Sequence, residues 1–205
     1  MSRSMSGDQS ERQEHKAEDN AWYLLATLHD GPEASDDDEA WSKNRAIWNR
    51  YAATYFNDEC RTRLVERGFE LSIDAPLDPD ELASLQEQYA TRHRATGSKA
   101  PATLPRLEDG KIDLSGIEFE RPLRWEGYLI PCELNMSGAK FKGTTFDGAI
   151  FLGKASFDGA TFSGGTTFSK ATFVDDADFA SASYPGLADW ISKQRCFTGT
   201  HSFGL

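Results

Sequence analysis

The sequence has little of what most catalytic and metal-binding sites are built from. Its 205 residues include only three cysteines and four histidines. The cysteines, Cys60, Cys132 and Cys196, lie far apart, without the short pairwise spacing of metal or redox motifs. An odd cysteine count, behind a polar N-terminus that lacks the apolar core of a secretory signal, indicates reduced thiols. We therefore expect a cytoplasmic protein.

Long apolar runs are also missing. None approaches the roughly 18 residues that a membrane-spanning helix needs, so no membrane span is expected. Positive charge is scarce, because 22 basic residues stand against 33 acidic ones and give a net charge of −11. Such an excess of acids disfavours adventitious binding to nucleic acids and anionic membranes. We expect no direct nucleic-acid binding.

Few residues could carry chemistry. The four histidines, His15, His29, His93 and His201, belong to no recognisable catalytic motif with a nucleophile or a glycine elbow. Cys196 and His201 could approach one metal ion, but two ligands alone make a weak site. The acidic run Asp36–Glu39 suits a solvated loop at a helix start better than a cation site. The glycine-rich stretch GATFSGG lacks the Lys-Ser of a phosphate loop. The sequence thus predicts no catalytic, cofactor-binding or metal residues, and no enzyme.

The first half of the chain is predicted to be helical. Residues 1–19 are charged and should form a disordered tail. Residues 20–97 should form a small helical domain, and residues 98–111 a proline-containing linker.

Four helices are expected in that domain. The first spans about Trp22 to Leu28, with Asp19 or Asn20 as its cap and Gly31-Pro32 as its end. The second runs from about Asp38 to Phe56. The third passes through Leu64-Val65 and stops at Gly68. The fourth has the strongest signals: Asp78 as cap, Pro79 in the first turn, Glu81 three residues after the cap, and Gly97 as terminator.

Aromatic residues gather on one face of the second helix. Trp41, Trp48, Tyr51 and Tyr55 recur at helical spacing, with Ala52 and Phe56 beside them. Large apolar side chains in short helices are mostly buried within their own chain. This face is therefore interpreted as core or as a docking face for the second half of the chain, with an external partner surface as the alternative.

The second half repeats every five or six residues. Nine aromatic residues stand in series: Phe141, Phe146, Phe151, Phe157, Phe162, Phe168, Phe173, Phe179 and Tyr184. The residue two positions before each is alanine in seven units and threonine in two. A helix or a flat strand would repeat at shorter intervals. A unit with one small and one large inward residue suits a chain that turns a corner after every unit, so that four units make one square coil.

The stretches FDGATFSGGTTFSKATF and ADFASASY resemble the pentapeptide-repeat family in its phenylalanine-centred form, which tolerates an extra residue between units. The resemblance implies a right-handed quadrilateral β-helix over residues 112–186. The whole chain would then be mainly β with an α-helical N-terminal region. The phrases NAWYLLATLHDGP and KNRAIWNRYAA are similar to a leader that precedes such repeats in some bacterial proteins, and this leader implies no activity.

Earlier units follow the repeat less clearly. Three weak units bring the total to twelve faces, or about three coils: Ile112 with Leu114, Ile117 with Phe119, and Leu134 with Met136. Between Phe119 and Leu134 the segment ERPLRWEGYLIPCE is expected to break the register. That segment, with Trp125, Leu129 and Ile130, is predicted to be a loop or an irregular first coil packed against the helices.

Both ends of a β-helix need a cap or a partner, because they expose unpaired backbone and apolar side chains. Residues 187–205 form the C-terminal segment. Its stretch LADWISKQRCF is predicted to be a short helix with Leu187, Trp190 and Ile191 on one face. The helix either caps the last coil or joins it to a second copy as a homodimer.

The outer wall is rich in short polar side chains, among them Thr145, Asp147, Ser156, Asp158, Thr161 and Thr167. We interpret them as solvated wall positions. A match to another regular surface, such as ice or a phosphate array, is the alternative.

The sequence leaves two functional hypotheses. The leading hypothesis is a noncatalytic interaction or scaffold module with an unknown protein partner. The alternative is a DNA mimic, since the resemblance implies that some long, strongly acidic relatives occupy DNA gyrase. Residues 139–184 depart from that pattern, because five acids and four bases give a net charge of only −1.

Overall fold

The computed structural model describes residues 16–30, 37–56, 58–66, 75–183 and 201–203. The tail before residue 16, the helix stop at Gly68, and Tyr184 with the predicted C-terminal helix lie outside these residues. Within the described part of the chain, no helix is both long and apolar enough to cross a membrane.

Four α-helices form the first half, which we call the helical head. They are α1 (Ala21–Ala26), α2 (Asp38–Thr54), α3 (Asp58–Glu66) and α4 (Pro79–Thr96). Short 3-10 turns at Ala17–Asp19 and Leu107–Asp109 flank them. All four helices were predicted from the sequence, and two of them end earlier than predicted. The first ends at Ala26 rather than at Gly31-Pro32, and the second ends at Thr54 rather than at Phe56.

Side-chain caps fix where the helices begin. The Asn20 side chain accepts the backbone N–H groups of Trp22 and Tyr23, which confirms the asparagine as the cap of α1. At α4, Asp78 Oδ1 accepts the backbone N–H of Glu81 at 2.8 Å, and Glu81 Oε2 accepts that of Asp78 at 3.0 Å. This reciprocal pair satisfies two donors that the helix leaves free. The predicted capping box is confirmed.

The second half is a parallel β-solenoid of about three turns. Among the described residues it has ten short strands: β1 (Lys111–Asp113), β2 (Leu129–Ile130), β3 (Glu133–Asn135), β4 (Lys140–Lys142), β5 (Ile150–Phe151), β6 (Ala155–Ser156), β7 (Thr161–Ser163), β8 (Thr172–Phe173), β9 (Ala177–Phe179) and β10 (His201–Phe203). Leu134 pairs with Ala155 and Ala155 with Ala177, so each coil takes 21 or 22 residues.

The coil has four faces, as the repeat predicted. The first face stacks β1, β3, β6, β9 and β10. The second contains β4 and β7, extended by bridges from Glu118 and Ser183. The third is a column of bridges through Arg124, Thr145 and Thr167. The fourth stacks β2, β5 and β8.

Phenylalanine rings form continuous columns inside the coil. Four coaxial pairs stack at centroid distances of 4.5–5.0 Å: Phe141 on Phe162, Phe146 on Phe168, Phe151 on Phe173, and Phe157 on Phe179. Rings of neighbouring columns mostly meet edge to face, the geometry that the ring quadrupole favours. The inward position of the phenylalanines is therefore confirmed.

The expected break of register between Phe119 and Leu134 is wrong. Arg124 bridges Thr145 and Leu129 pairs with Ile150, so the segment supplies two regular faces of the first coil. Leu123 and Tyr128 occupy the positions that alanine or threonine holds in later coils, and both are buried. Bulky residues are accommodated here because the head, rather than another narrow coil, packs against this end of the solenoid.

The head packs on the N-terminal end of the solenoid, and the two share one hydrophobic core. Trp48 of α2 is 1% exposed, and its indole N–H donates to the Leu129 carbonyl at 2.8 Å. Its ring lies 5.5 Å from that of Trp125 and 5.7 Å from that of Tyr128. The interpretation of Trp48 and Tyr51 as core is confirmed, whereas Trp41 and Tyr55 are only partly buried.

Head side chains also satisfy the backbone at this end of the solenoid. Asn49 donates to the Gly127 carbonyl at 3.0 Å and accepts the Leu129 N–H at 2.9 Å. Asn20 donates to the Asp113 carbonyl at 2.8 Å, and Lys16 forms a parallel bridge with Glu118. The end of the solenoid is thereby closed to edge pairing on most of its faces. At the other end β10 pairs with β9 within the same chain.

Candidate interaction surface

The second and third faces carry an exposed surface of short hydroxyl side chains, which we call the hydroxyl wall. It consists of Thr145, Thr161, Ser163, Thr167 and Ser169. Side chains at i−1 and i+1 around each inward phenylalanine point out of the coil, and equivalent positions in successive coils align. The repeat therefore places these hydroxyls in columns.

Hydrogen bonds hold the hydroxyl wall in place. The Thr167 and Thr145 hydroxyls meet at 3.2 Å across two coils. The Ser163 hydroxyl donates to the Phe141 carbonyl of the coil before it at 2.7 Å. The Ser169 N–H donates to Asp147 Oδ1, also at 2.7 Å. Because these bonds link coils, the wall is ordered before any partner arrives.

Glycine backbone forms the corner between the second and third faces. Gly143 and Gly164 both have positive φ, at 69° and 64°. A Cβ on Gly143 would lie 3.0 Å from the Gly164 carbonyl oxygen, and one on Gly164 would lie 2.9 Å from the Gly143 nitrogen. Both positions therefore require glycine, and the corner is a bare ridge of backbone between two rows of hydroxyls.

The six residues predicted to lie on the outer wall are all at the surface. Thr145, Thr161 and Thr167 belong to the hydroxyl wall, and Asp147 borders it. Ser156 and Asp158 lie apart from these four, on the first face. The structure thus divides the predicted set between the first face and the hydroxyl wall on the second and third faces.

Charged groups at the edge of the hydroxyl wall form ion pairs. Glu118 lies 2.9 Å from the Lys140 ammonium and 3.6 Å from that of Lys142. The hydrogen bond from Lys140 holds the pKa of Glu118 below its usual value. Exposed pairs of this kind add little stability. Because two lysines share one glutamate, this edge is locally positive, while the hydroxyl side chains themselves carry no charge.

A small polar cavity, the junction cavity, lies where the head meets the solenoid. Its volume is about 50 Å³. The end of α1, the start of α2, the middle of α4 and the solenoid corner before Leu123 enclose it. Its polar lining comprises Glu18, Tyr23, Thr27, Asp30, Asp37, Trp41, Asn44, Arg92, Arg121 and Arg124.

Burial governs the acid–base properties of this cavity. Asn44 is 2% exposed, donates to Asp30 Oδ1 at 2.6 Å and accepts the His29 N–H at 2.8 Å. Burial raises the pKa of Asp30 to about 6, against the opposing effect of that hydrogen bond and of two arginines. Burial, with help from nearby carboxylates, raises the pKa of Tyr23 to about 12.

Two hydrogen-bond donors on the cavity lining have no partner. They are the indole N–H of Trp41 and Nε–H of Arg92, both buried. Arg92 is otherwise held, because its Nη1 donates to the Asp30 carbonyl at 2.8 Å. Arg124 stacks on the Trp41 ring at 4.5 Å and pairs with Asp38 at 2.7 Å.

Those chemical candidates whose side chains the structure describes do not come together. Asp38 pairs with Arg124 and Glu39 with Lys43, which accounts for two members of the acidic run. His93 Nε2 contacts the Ala100 carbonyl at 2.6 Å, and burial lowers the pKa of His29. No cluster of three or more metal-ligating side chains occurs among the residues that the structure describes.

The remaining chemical candidates lie wholly or partly outside the residues that the structure describes. His15, Asp36 and Cys196 fall outside the described residues, and only the backbone of His201 is described. Sequence reasoning overlooked the junction cavity, since its residues come from four separate elements and share no local spacing.

Comparison with known proteins matches the solenoid. The family model described as pentapeptide repeats, in nine copies, matches residues 136–183. No curated protein and no solved structure matches the chain significantly. The matched residues are those whose phenylalanines stack in columns and whose coils turn after each unit. Residues 136–183 therefore consist of pentapeptide repeats, which are phenylalanine-centred and wind into a four-faced parallel β-solenoid.

Proposed function

We propose that this protein is a noncatalytic interaction module whose hydroxyl wall binds a protein partner. One observation carries the proposal: rigid columns of short hydroxyl side chains lie on two adjoining faces and the corner between them, while the head occupies the end of the solenoid. Pentapeptide-repeat solenoids serve as structural and binding elements, which agrees with this role.

The wall is suited to binding because it loses little entropy on contact. Thr145, Thr161 and Thr167 are β-branched, so few rotamers are lost when a partner covers them. Their backbone is already fixed by coil-to-coil hydrogen bonds. Affinity would then come from hydrogen bonds and shape complementarity.

The chemistry of the partner surface follows from what the wall offers. Val65, at 72%, is the one large hydrophobic side chain that is exposed among the described side chains, and it lies on α3 rather than on the solenoid. An apolar patch on the partner would find no counterpart on the wall. We therefore propose a polar partner surface that pairs with hydroxyls and with the glycine ridge.

Charge placed on the hydroxyl wall tests the proposal. We expect Thr161→Arg and Thr167→Arg each to reduce native crosslinking or affinity capture of the partner at least tenfold, a loss of about 1.4 kcal/mol. A long cation on either face of the wall holds the partner surface away from the hydroxyl groups. Both threonines are exposed, so the melting temperature should stay unchanged.

Ser115→Arg provides the matched control. Ser115 is exposed on the first face, so the same cation there should leave capture intact. Equal capture by the wall variants and the wild type would rule out the hydroxyl wall as the contact surface. Catalytic turnover of a metabolite by the purified protein would contradict the noncatalytic role itself.

The DNA-mimic alternative leads to a separate prediction. Duplex DNA carries about one charge per 1.7 Å of its axis. In residues 139–184 the basic residues Lys140, Lys142, Lys154 and Lys170 nearly balance five aspartates. We expect no inhibition of gyrase supercoiling at micromolar protein. Inhibition that weakens with added salt would favour the mimic.

A further inference from the structure

The junction cavity has features that the proposed wall contact does not use. Buried donors without a partner are uncommon, because each one costs about 1–3 kcal/mol when it is desolvated. Here two such donors, Trp41 Nε1–H and Arg92 Nε–H, stand on residues that line the same cavity. Arg121, an exposed arginine, lines the cavity as well. A hydrogen-bond acceptor in the cavity could therefore bind to the two unpaired donors and to the Arg121 guanidinium group.

We propose that the junction cavity binds one carboxylate group, held by the Trp41 indole N–H and the Arg92 and Arg121 guanidinium groups. This inference is independent of the proposed wall contact. A bound carboxylate would touch α2, α4 and the first coil together, so it would fasten the head to the solenoid.

Size admits a carboxylate. A cavity needs about 10–15 Å³ of water-accessible space to hold one water molecule, and this one offers about 50 Å³. That space holds a group of about three heavy atoms. The planar carboxylate also matches the arginine fork, which donates two parallel hydrogen bonds. Arg92 has Nε–H left for such a bond, since only its Nη1 has a hydrogen-bond partner.

Charge makes the binding depend on protons. Charged or titratable groups face the cavity from every surrounding element: Glu18, Tyr23, Asp30, Asp37, Arg92, Arg121 and Arg124. Arg124 is already paired with Asp38, and Asp37 caps α2. Asp30 is the acid that titrates near neutrality, with a pKa of about 6. A second carboxylate beside it raises that pKa further, so binding takes up a proton, and affinity falls as pH rises above 6.

Indole N–H resonances of the full chain, recorded by ¹H–¹⁵N NMR, test the site directly. The protein has five tryptophans, and Trp41→Phe identifies the resonance of interest. Sodium acetate at about pH 5.5 should shift the Trp41 signal saturably, and affinity at about pH 8 should be at least tenfold weaker. Sodium chloride at equal ionic strength is the salt control.

Variants separate the roles of the lining residues. Arg92→Gln should weaken acetate binding at least tenfold, whereas Arg94→Gln, on the exposed side of the same helix, should leave it unchanged. Asp30→Asn keeps an oxygen to accept the Asn44 hydrogen bond but removes the charge. It should abolish the pH dependence and raise affinity at about pH 8.

A second probe identifies the source of the carboxylate. N-acetyl-glutamate amide presents only a side-chain carboxylate. If it binds more tightly than acetate, the natural ligand is an acidic side chain of a protein; if acetate alone binds, the ligand is a small free acid. A Trp41 signal that moves with neither probe, or equally with chloride, overturns the site. Loss of partner capture by the wall variants has no bearing on this outcome.

Discussion

Replacing Phe157 with alanine is expected to lower the free energy of unfolding by about 3–5 kcal/mol. The side chain is fully buried, and its ring stacks on Phe179 at 4.8 Å. It also meets Phe146 and Phe168 edge to face at 5.8 and 5.5 Å. Truncation therefore leaves a cavity at the centre of the solenoid that rigid coils cannot close.

Denaturant unfolding followed by far-UV circular dichroism measures this loss. A solenoid is stabilised coil by coil, so a defect in the middle coil also weakens the coils on either side. The control is Val65→Ala, since Val65 is 72% exposed and its truncation should change stability by less than about 0.5 kcal/mol. A Phe157→Ala loss below about 1 kcal/mol would show that the rings do not form a tightly packed core.

The sequence predicts the solenoid well because its inward residues obey one local rule. Each coil needs a small and a large inward residue in every unit, and this rule can be read without knowledge of distant contacts. The same rule fails in the first coil, where Leu123 and Tyr128 replace the small residue. The head determines the space that these side chains occupy, and the hydrogen bonds between head and solenoid join residues 78 to 102 positions apart in sequence. Local residue spacing therefore cannot predict this packing.

The need for glycine at Gly153 also cannot be predicted from local sequence spacing. Glycines that follow an inward aromatic residue suggest turns, and Gly143 and Gly148 do have positive φ. Gly153 does not, yet a Cβ there would lie 2.5 Å from the Cys132 carbonyl carbon. The residue is required because two coils approach closely at this corner. Only the stacking of the coils reveals that requirement.

The candidate surfaces differ in the same way. The hydroxyl wall follows from the repeat, because outward positions alternate with inward ones and stack at each coil. Thr145, Thr161 and Thr167 could therefore be named from the sequence. The junction cavity could not, since Asp30, Arg92 and Arg121 meet only when the head docks. Sites formed between elements depend on tertiary contacts, and repeat periodicity says nothing of those.

Docking of the head should depend on Trp48 above all. We expect Trp48→Ala to lower the free energy of unfolding by about 3–5 kcal/mol, because its ring packs against Trp22, Trp125 and Tyr128. Trp48→Phe should retain most of the packing but leave the buried Leu129 carbonyl without its donor, at a cost of about 1–3 kcal/mol.

Trp41→Phe is the matched control for the hydrogen bond. The Trp41 indole N–H has no protein partner, so its removal leaves no acceptor unpaired and should destabilise the protein less than Trp48→Phe does. Thermal unfolding measures the difference in stability between the two variants. Hydrogen exchange at the Leu129 N–H, which donates to the Asn49 side chain, reports whether the head has opened. Equal losses for the two phenylalanine variants would show that the Trp48 hydrogen bond does not hold the head in place. Faster exchange at Leu129 in Trp48→Phe alone would show that this one bond couples the helices to the solenoid.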